Sequence, residues 1–504
     1  MDEVPTKFCS FFSIKGVKSH VIFSLGGIEI STEKSPGKQQ FIASEDFVAV
    51  SPKSLQLHCD ELGSPISPIA EVMPNNDECG LTLHYGSRVG KFCWRVKTVT
   101  LRHHDPSVTQ RWAARIQHCI DAQTNRPRRL LVFINPFGGR KRGRSIYWKT
   151  VAPLFELAGI SCDVVETEYA NHAKTLLKTK DLLGYDGVIS VGGDGMFSEI
   201  LNGALEREVS DASANVNDPS VKFLKPKMRL GMIPCGSTDA LVYATNGTSD
   251  VVTAAIHIIL GDRLPVDVCA IHSRRGFERG AVICIATGFL GSMLAYSEKL
   301  RCMGPERYSV AAVRAFLRHK KVAFSASLTP TDSSPVDESP CFTDCITCTN
   351  ASIREVFRVE SEPELSETPR PCPTVVKGSF LHITSAVSTA AYDMAPHGVS
   401  PYNHFGNGCM DVIFVKKTSR LNHLKFFYRI LFKPGKQLTL PFVTTYRVRE
   451  MDLRFLPPSP SPVTTPFNCD GELIDDDCLK LKYDAAPPLE RYSAMQCRHS
   501  HQIH

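Results

Sequence analysis

Three glycine-rich turns, each following an apolar stretch of the chain, hold the residue types best suited to chemistry. Glycine allows the backbone to approach a ligand closely and to direct successive amide hydrogens at it. A helix that begins directly after such a turn adds the positive end of its dipole, which favours phosphate oxygens. One such turn also arises from tight packing alone, but three in this order are strong evidence for a polyphosphate site. The turns contain Asn135, Pro136, Phe137, Gly138 and Gly139, then Gly192, Gly193, Asp194 and Gly195, and then Gly231–Asp239 with Gly236, Ser237 and Thr238 near its end.

A basic stretch, Arg140-Lys141-Arg142-Gly143-Arg144, continues the first turn and adds positive charge for a polyphosphate. The sequence contains no Walker-type lysine motif. This excludes a P-loop nucleoside triphosphatase.

Strands and helices alternate around the turns. Such alternation predicts an α/β fold with a doubly wound parallel sheet, in which ligands bind beyond the carboxyl ends of the strands. We assign residues 128–264 to this nucleotide-binding domain. The predicted strands are Leu130–Asn135, Cys162–Thr167 and Gly187–Val191, and the predicted helices are Trp148–Ala158 and Ala170–Lys178.

Residues 1–122 are predicted to form a small antiparallel β domain that ends in one helix. In the helical stretch Val108–Ile120, Trp112, Ile116 and Ile120 recur at i, i+4 and i+8 on one face. This resembles a pleckstrin-homology domain, whose last helix carries a tryptophan at such a position. The resemblance implies docking on a membrane that contains phosphoinositides, and another small all-β module is the alternative. The strand-like runs are His20–Phe23, Phe47–Val50, Leu81–His84 and Phe92–Val96.

The helical alternation fades after about Pro265, and strand-like runs predict a β-rich, sandwich-like domain over 265–485. Stretches rich in Pro, Ser, Thr and Glu predict a mobile insert at 329–373 and another at 457–466. Residues 486–504 are predicted to be a tail.

Composition limits the partners and the compartment. A net charge of +6, with 22% charged residues and no basic surface interleaved with aromatics, does not predict a nucleic-acid partner. It suits polyphosphates or the anionic face of a cytoplasmic membrane. The amino terminus lacks the features of a signal peptide, and the longest apolar runs fall short of the ~18 residues that a membrane span needs. Eighteen scattered cysteines indicate reduced thiols rather than a disulfide framework.

Together the three turns resemble the diacylglycerol kinase catalytic superfamily, which includes the sphingosine and ceramide kinases. Thr167–Lys174 is similar to the nucleotide-contacting strand end and helix of that group, and Asn468–Glu472 to its late Asp-Gly-Glu motif. Ser297–Arg301, followed by Arg307, resembles its segment with two phosphate-contacting arginines. The ceramide kinase family matches best, through Met-Phe-Ser-Glu after Asp194, Gly-Ser-Thr-Asp in the third turn and a Cys-x-x-x-Cys-x-x-Cys cluster.

This resemblance implies an ATP-dependent lipid kinase that uses Mg²⁺, with Ca²⁺ as a candidate stimulator. Asp194 is implied as the catalytic carboxylate, which accepts the hydroxyl proton or holds Mg²⁺; the alternative is an aspartate that caps a nearby helix. Ser292 and Asp239 are implied on the lipid side. The implied nucleotide contacts are Asn135, Pro136, Phe137, Gly138, Gly139, Thr167, Asn171, Gly192, Gly193, Gly195, Gly236, Ser237, Thr238, Arg301, Arg307, Asp470, Gly471 and Glu472.

Cys341, Cys345 and Cys348 have the spacing of metal ligands. A structural Zn²⁺ would need a fourth ligand, for which Cys372 or a histidine is a candidate. The same spacing occurs in radical enzymes with an iron–sulfur cluster, and a redox-sensitive or unligated role is also open.

Two positions depart from the superfamily pattern. Gly288-Phe289-Leu290-Gly291 is followed by Ser292, where an acidic residue normally holds the lipid headgroup, and Lys141 stands where glycine is common. Serine can bind an amide or a hydroxyl, but it cannot pair with the ammonium group of sphingosine.

The leading hypothesis is phosphorylation of ceramide to ceramide 1-phosphate by a cytoplasmic, peripheral membrane enzyme, at the Golgi or plasma membrane by family resemblance. The alternatives are a membrane adaptor with little or no kinase turnover and a kinase for another lipid such as diacylglycerol. A kinase of the NAD kinase type is disfavoured by the Asp-Gly-Glu motif and the amino-terminal domain.

Overall fold

The computed structural model describes three packed units. The described residues are 7–33, 39–52, 55–59, 65–70, 79–138, 141–331, 339–341, 345, 347–348, 373–457, 465–483 and 489–492. Most of the predicted inserts at 329–373 and 457–466, and Cys372, therefore lie outside the described residues.

The first unit is an antiparallel sheet closed by one helix, which confirms the predicted β domain. The helix α1 (Pro106–Asp121) begins where the Asp105 carboxylate accepts the backbone N–H of Ser107 at 2.8 Å. Trp112, Ile116 and Ile120 are buried on its inner face, as predicted. In chain order the strands are β1 (Lys7–Ile14), β2 (Val17–Ser24), β3 (Gly27–Thr32), β4 (Gln39–Ala43), β5 (Phe47–Pro52), β6 (Leu55–Cys59), β7 (Pro65–Ala70), β8 (Cys79–Arg88) and β9 (Trp94–His103). The seven-stranded sheet has the order β4-β3-β2-β1-β9-β8-β5, and β6 pairs with β7 alone.

The second unit confirms the parallel α/β sheet. Its four leading strands are parallel. The three inner strands are mostly apolar and buried, as expected for strands covered on both faces, whereas the edge strand contains polar residues and is only partly buried. They are β10 (Arg129–Ile134), β11 (Ser161–Glu166), β12 (Gly187–Gly192) and β13 (Arg229–Pro234). The helices are α2 (Gly143–Ile146), α3 (Ala152–Leu157), α4 (His172–Thr179), α5 (Asp194–Asp211), α6 (Ala240–Asn246) and α7 (Val251–Leu260), and a π-helical turn, Tyr147–Val151, joins α2 to α3.

The sheet order places the turns together. The order begins β11-β10-β12-β13. Strand β11 therefore lies on one side of β10, whereas β12 and β13 lie on the other side, and the strand order reverses between β10 and β12. Such a reversal opens a crevice at the carboxyl ends of the strands. The first turn follows β10 and the second follows β12, on either side of that crevice.

Two further strands complete this sheet, and one of them lies where the sequence predicted a tail. Leu489–Tyr492, within the predicted tail, forms a strand that runs parallel to β13 and antiparallel to β14 (Arg263–Val266). Four residues without a repeat carry too short a pattern to predict a strand, so its partners alone define it.

The third unit is β-rich. Two of its strands, β18 and β20, each pair with both β19 and β21, so these four strands close on themselves. Its strands are β15 (Cys269–Ser273), β16 (Gly276–Ala281), β17 (Cys284–Gly288), β18 (Val322–Pro330), β19 (Thr374–Ala386), β20 (Met410–Lys416), β21 (Val443–Phe455), β22 (Phe467–Cys469), β23 (Glu472–Ile474) and β24 (Cys478–Tyr483); the carboxyl-terminal strand of the α/β sheet is β25 (Leu489–Tyr492). The helices are α8 (Phe289–Glu298), α9 (Arg307–Arg318) and α10 (Arg420–Phe432), and 3-10 turns span Ser44–Asp46 and Arg301–Glu306.

Polar contacts hold the first unit against the second. The Arg95 guanidinium donates to the Asp250 carboxylate at 2.7 Å, and the backbone N–H of Trp94 donates to Thr253 Oγ1 at 3.0 Å. Among the described residues, the helices are all too short or too polar to span a membrane.

Candidate active site

The first turn is shaped by Asn135. Its side-chain oxygen accepts the backbone N–H groups of Phe137 and Gly138, both at 2.9 Å, so the chain curls around the asparagine. Lys141 adopts φ +57°, a left-handed conformation that favours glycine, although its backbone N–H still donates to the Gly138 carbonyl at 2.9 Å. Gly139 and Arg140 lie outside the described residues.

The second and third turns interlock through their glycines. A Cβ atom on Gly236 would lie 2.6 Å from the Cα of Gly193 and 2.6 Å from Asp239 Oδ1. The first turn joins them, because a Cβ atom on Gly192 would lie 3.5 Å from that of Asn135. The three turns therefore meet at one edge of the sheet, and the second and third lie too close together at Gly193 and Gly236 to admit side chains there.

Asp194 connects the second turn to the third. It is the first residue of α5, and its carboxylate oxygens accept the backbone N–H groups of Ala240 and Leu241, each at 3.1 Å. Asp194 thus caps α6 rather than α5, the helix that it begins. A helix-capping aspartate was the alternative interpretation of this residue. These two hydrogen bonds fix the Asp194 carboxylate at the junction of the second and third turns.

Asp239 lies under the third turn. Its carboxylate accepts the backbone N–H of Gly236 at 2.9 Å, and the residue is buried with φ +48°. Burial, and then the negative charge of Asp194, raise the pKa of Asp239 to about 7. The contacts of Asp239 are thus with the glycine-rich third turn, whereas the resemblance implies a lipid contact.

A pH dependence of stability follows from this pKa. The folded protein holds the Asp239 proton up to about pH 7, whereas the unfolded chain releases it near its ordinary pKa of about 3.9. The unfolded state binds fewer protons between these values, so the free energy of unfolding falls as pH rises from about 4 to about 7, by up to about 4 kcal/mol from this group. Urea unfolding across pH 5–8 should show a flatter profile for Asp239→Asn than for the wild type. Asp181→Asn, at an exposed position, should keep the wild-type slope; equal slopes in all three proteins would contradict the assignment.

Asp470 fastens the Asp-Gly-Glu turn to the β-rich unit. Its buried carboxylate accepts the backbone N–H groups of Val282, Ile283 and Cys284 at 2.7, 3.0 and 2.8 Å. Burial raises its pKa to about 6. Asp470 is therefore engaged by backbone, and Gly471, at φ +91°, makes the bend that follows it.

Glu472 is the carboxylate of this motif that reaches the second turn. Its Oε1 lies 3.7 Å from the position that a Cβ atom of Gly195 would occupy, and its Oε2 pairs with Arg279. Burial raises the pKa of Glu199, which accepts backbone N–H groups at the start of α4, and Glu472 raises that pKa further. One Glu199 oxygen, Oε2, has no hydrogen-bond partner among the described residues.

Sequence reasoning missed Arg279 and left Glu199 without a role. Arg279 lies in a short strand among glycine, phenylalanine and glutamate, with no spacing that marks it. A signal for Glu199 was available, because it is a carboxylate on a helix whose neighbours are mostly apolar and buried.

The other predicted nucleotide contacts differ in their exposure to solvent. Phe137, Asn171, Ser237 and Thr238 are exposed, and Pro136 is partly buried. Thr167 is buried, and its hydroxyl donates to the Ile134 carbonyl at 3.3 Å.

Of the two predicted arginines, Arg301 begins the 3-10 turn that precedes α9, and Arg307 is the first residue of α9. The side chain of Arg301 is outside the described part of the structure. Arg307 Nη2 lies 3.5 Å from Glu298 Oε1 and donates to the Tyr308 hydroxyl at 2.7 Å. These contacts hold the Arg307 side chain against the end of α8 and the start of α9.

Ser292 lines a cavity of about 320 Å³ between α8, α9 and α10. The lining is mixed and includes apolar residues such as Phe289 and Leu381 as well as basic residues. Asp239 is not among the lining residues, so the two predicted lipid contacts lie in different places. The lining basic residues are Lys299, Arg314, Arg318 and Lys320.

Cys341, Cys345 and Cys348 lie together, and His404 joins them. None of these four residues belongs to the three turns.

Comparisons with known proteins match two parts of the chain to family models. Residues 129–271 match the family model of the diacylglycerol kinase catalytic domain, and residues 283–468 match that of the ceramide kinase C-terminal domain. Ceramide kinase from Mus musculus is 37% identical over 379 residues, which cover 73% of this chain and 70% of the mouse protein. Ceramide kinase from Homo sapiens is 36% identical with the same coverage. The ceramide kinase-like protein of Homo sapiens is 29% identical over 407 residues, which cover 73% of this chain and 68% of that protein.

Proposed function

The chain belongs to the ceramide kinase family, and from this premise we propose that it transfers the γ-phosphoryl group of ATP to the primary hydroxyl of ceramide, giving ceramide 1-phosphate. The observation that carries the proposal is the interlocking of the three turns beside Asp194. Phosphoryl transfer depends on positioning and on neutralising charge, and a convergent set of backbone amides provides both.

The turns and the α5 helix would hold the triphosphate. Glycines at 192, 193 and 236 keep side chains out of the crevice, so phosphate oxygens can reach the backbone N–H groups directly. The positive end of the eighteen-residue helix α5 faces the same place. Exposed Ser237 and Thr238 add hydroxyl donors at the rim.

Asp194 would accept the proton of the ceramide hydroxyl. The amides of Ala240 and Leu241 fix its carboxylate without protonating it, and a base so positioned contributes about 10²–10⁴-fold to rate. The proton would pass from the lipid hydroxyl to a carboxylate oxygen as the hydroxyl oxygen bonds to the γ-phosphorus and the bond to the β-phosphate oxygen breaks.

The residues that would hold a divalent cation are Asp194, at the start of α5, and Glu472, whose Oε1 lies near Gly195. Carboxylate oxygens are the ligands that Mg²⁺ prefers. When bound, Mg²⁺ neutralises charge on the β- and γ-phosphates. Arg279 holds Glu472 toward the second turn, so we assign it a positioning role.

The cavity beside Ser292 would hold the lipid headgroup. Ceramide carries a neutral amide where sphingosine carries an ammonium group, so a serine suffices and no carboxylate is needed. The adjoining helices α9 and α10 contact each other, since Arg420 donates to the Leu317 carbonyl at 3.0 Å. Large apolar side chains on their outer faces are exposed next to the basic lining of the cavity, a pattern that suits an anionic membrane surface. These side chains are Val310, Val313, Leu317, Leu421, Leu424, Tyr428, Leu431 and Phe432.

The amino-terminal unit would add a second membrane contact. Its antiparallel sheet with one closing helix is compatible with a pleckstrin-homology fold. We assign it to docking on phosphoinositide-containing membranes, which would make the protein a cytoplasmic, peripheral enzyme of the Golgi or plasma membrane.

One observation favours a second candidate, a membrane adaptor with little turnover. Ser292 stands where the superfamily usually has an acidic residue that holds the lipid headgroup. The retained Asp194 and Glu472 argue for the enzyme.

A lipid panel separates these functions. The full chain is offered labelled ATP and Mg²⁺ with ceramide, sphingosine or diacylglycerol in mixed micelles. We expect ceramide to be labelled at least about tenfold faster than the other two, equivalent to about 1.4 kcal/mol of discrimination. Preferential labelling of diacylglycerol would contradict the ceramide assignment, and the absence of any labelled lipid alongside normal liposome binding would establish the adaptor.

A further inference from the structure

Four side chains outside the turns converge on one point. Cys341, Cys345, Cys348 and His404 place three Sγ atoms and one ring nitrogen within 4.8 Å of one another. We propose that this cluster is a structural zinc site, with the three thiolates and the Nδ1 atom of His404 as its ligands.

The distances match a tetrahedron around one ion. With Zn–S of about 2.3 Å and Zn–N of about 2.0–2.1 Å, neighbouring sulfurs should be about 3.8 Å apart and a sulfur and nitrogen about 3.6 Å apart. The Sγ atoms of Cys341 and Cys348 are 3.6 Å apart. His404 Nδ1 lies 3.3 Å from Cys345 Sγ and 3.7 Å from Cys348 Sγ.

The tautomer of His404 is set for binding a metal. Its other nitrogen, Nε2, lies 3.0 Å from the Ser339 carbonyl oxygen, which can only accept a hydrogen bond. The proton therefore sits on Nε2, and the Nδ1 lone pair faces the thiols. Such second-shell carbonyls commonly orient metal-ligating histidines.

The cluster is built as a closed structural site. Four protein ligands fill a tetrahedral shell and leave no position for substrate or water. Cys341, Cys348 and His404 are all buried. An iron–sulfur cube, the alternative raised by the cysteine spacing, would have to fit between the sulfurs, and a separation of 3.6 Å leaves room for one ion only.

The site fastens the insert to the core beside the turns. It joins the segment containing Cys341 to the loop containing His404, where the Cys341 backbone N–H also donates to the Pro401 carbonyl at 2.6 Å. Cys341 and Cys348 pack in the same apolar core as Leu241 of α6, whose backbone N–H holds Asp194. Zinc would thereby support the helix that positions the catalytic carboxylate, without contact with the substrate.

Metal analysis of the purified full chain tests the proposal. The protein is prepared with a tag that lacks histidine and without chelators, and its metals are measured by mass spectrometry. We expect about one zinc per chain, no iron and no visible absorption. Cys345→Ser and His404→Ala should lower zinc at least about tenfold, whereas His404→Cys should retain it because four thiolates also form a structural site. Cys119→Ser, in the amino-terminal unit, is the matched control and should keep the full zinc content.

A second measurement covers variants that do not fold. Titrating wild-type protein with a thiol-blocking mercurial in the presence of a zinc indicator should release one zinc as the thiolates are modified. Wild-type protein without zinc, stoichiometric iron with a visible chromophore, or a Cys341–Cys348 disulfide in freshly reduced protein would each overturn the proposal.

Discussion

Asp194→Asn is expected to lower kcat by about 10²–10⁴-fold while the protein stays folded. Asparagine keeps one acceptor oxygen for the start of α6, so one of the two hydrogen bonds to Ala240 and Leu241 survives. The variant cannot, however, take up the hydroxyl proton. We expect the loss of one such bond to cost about 1–3 kcal/mol of stability, which a thermal or urea unfolding curve would measure.

The matched control is Asp211→Asn, at the other end of the same helix, where the carboxylate is half exposed. It should turn over ceramide at the wild-type rate. An Asp194→Asn protein with the wild-type kcat, measured with labelled ATP at saturating ceramide, would remove Asp194 from the chemistry and leave it as a helix cap.

Gly236→Ala is expected to lower kcat/KM for ATP by about 10²-fold, because a displacement of about 1 Å is enough for a loss of that size. The new methyl group would meet the Cα of Gly193 and the carboxylate of Asp239, both at 2.6 Å. Neither a backbone atom nor a buried carboxylate can yield easily, so the second and third turns must separate. Steady-state kinetics at varied ATP would measure the effect.

Gly90→Ala is the control for replacing a glycine by alanine where there is room for the added methyl group. Its Cβ atom would meet nothing nearer than Cys93 Cβ at 3.7 Å, an ordinary contact. Its kinetics should match the wild type. If Gly236→Ala also retained the wild-type kcat/KM for ATP, the spacing of the two turns would be unimportant for nucleotide binding.

The helices and strands could be predicted from the sequence because their apolar residues follow a regular pattern. Runs such as Leu130–Ile134 are apolar at every position, as strands covered on both faces must be. Trp112, Ile116 and Ile120 repeat at helical spacing and are buried together. Glycine spacing likewise identified the three turns, and the structure brings them into contact.

Contacts between side chains that are far apart in the sequence could not be predicted. Arg279 meets Glu472 only because β16 and the Asp-Gly-Glu turn are neighbours in the fold. His404 was one of seventeen histidines, and nothing in its local sequence marks it as the one that lies beside three distant cysteines. Asp470 belongs to a recognised motif, yet its carboxylate serves three buried backbone amides, which only the folded chain provides.

A crystal structure of the full chain with Mg²⁺ and a non-hydrolysable ATP analogue would show whether the three turns form the nucleotide site. We expect a triphosphate bound across the glycines of all three turns, with its γ-phosphate facing the carboxylate of Asp194. A nucleotide bound elsewhere, or a γ-phosphate on the far side of α5 from Asp194, would contradict it.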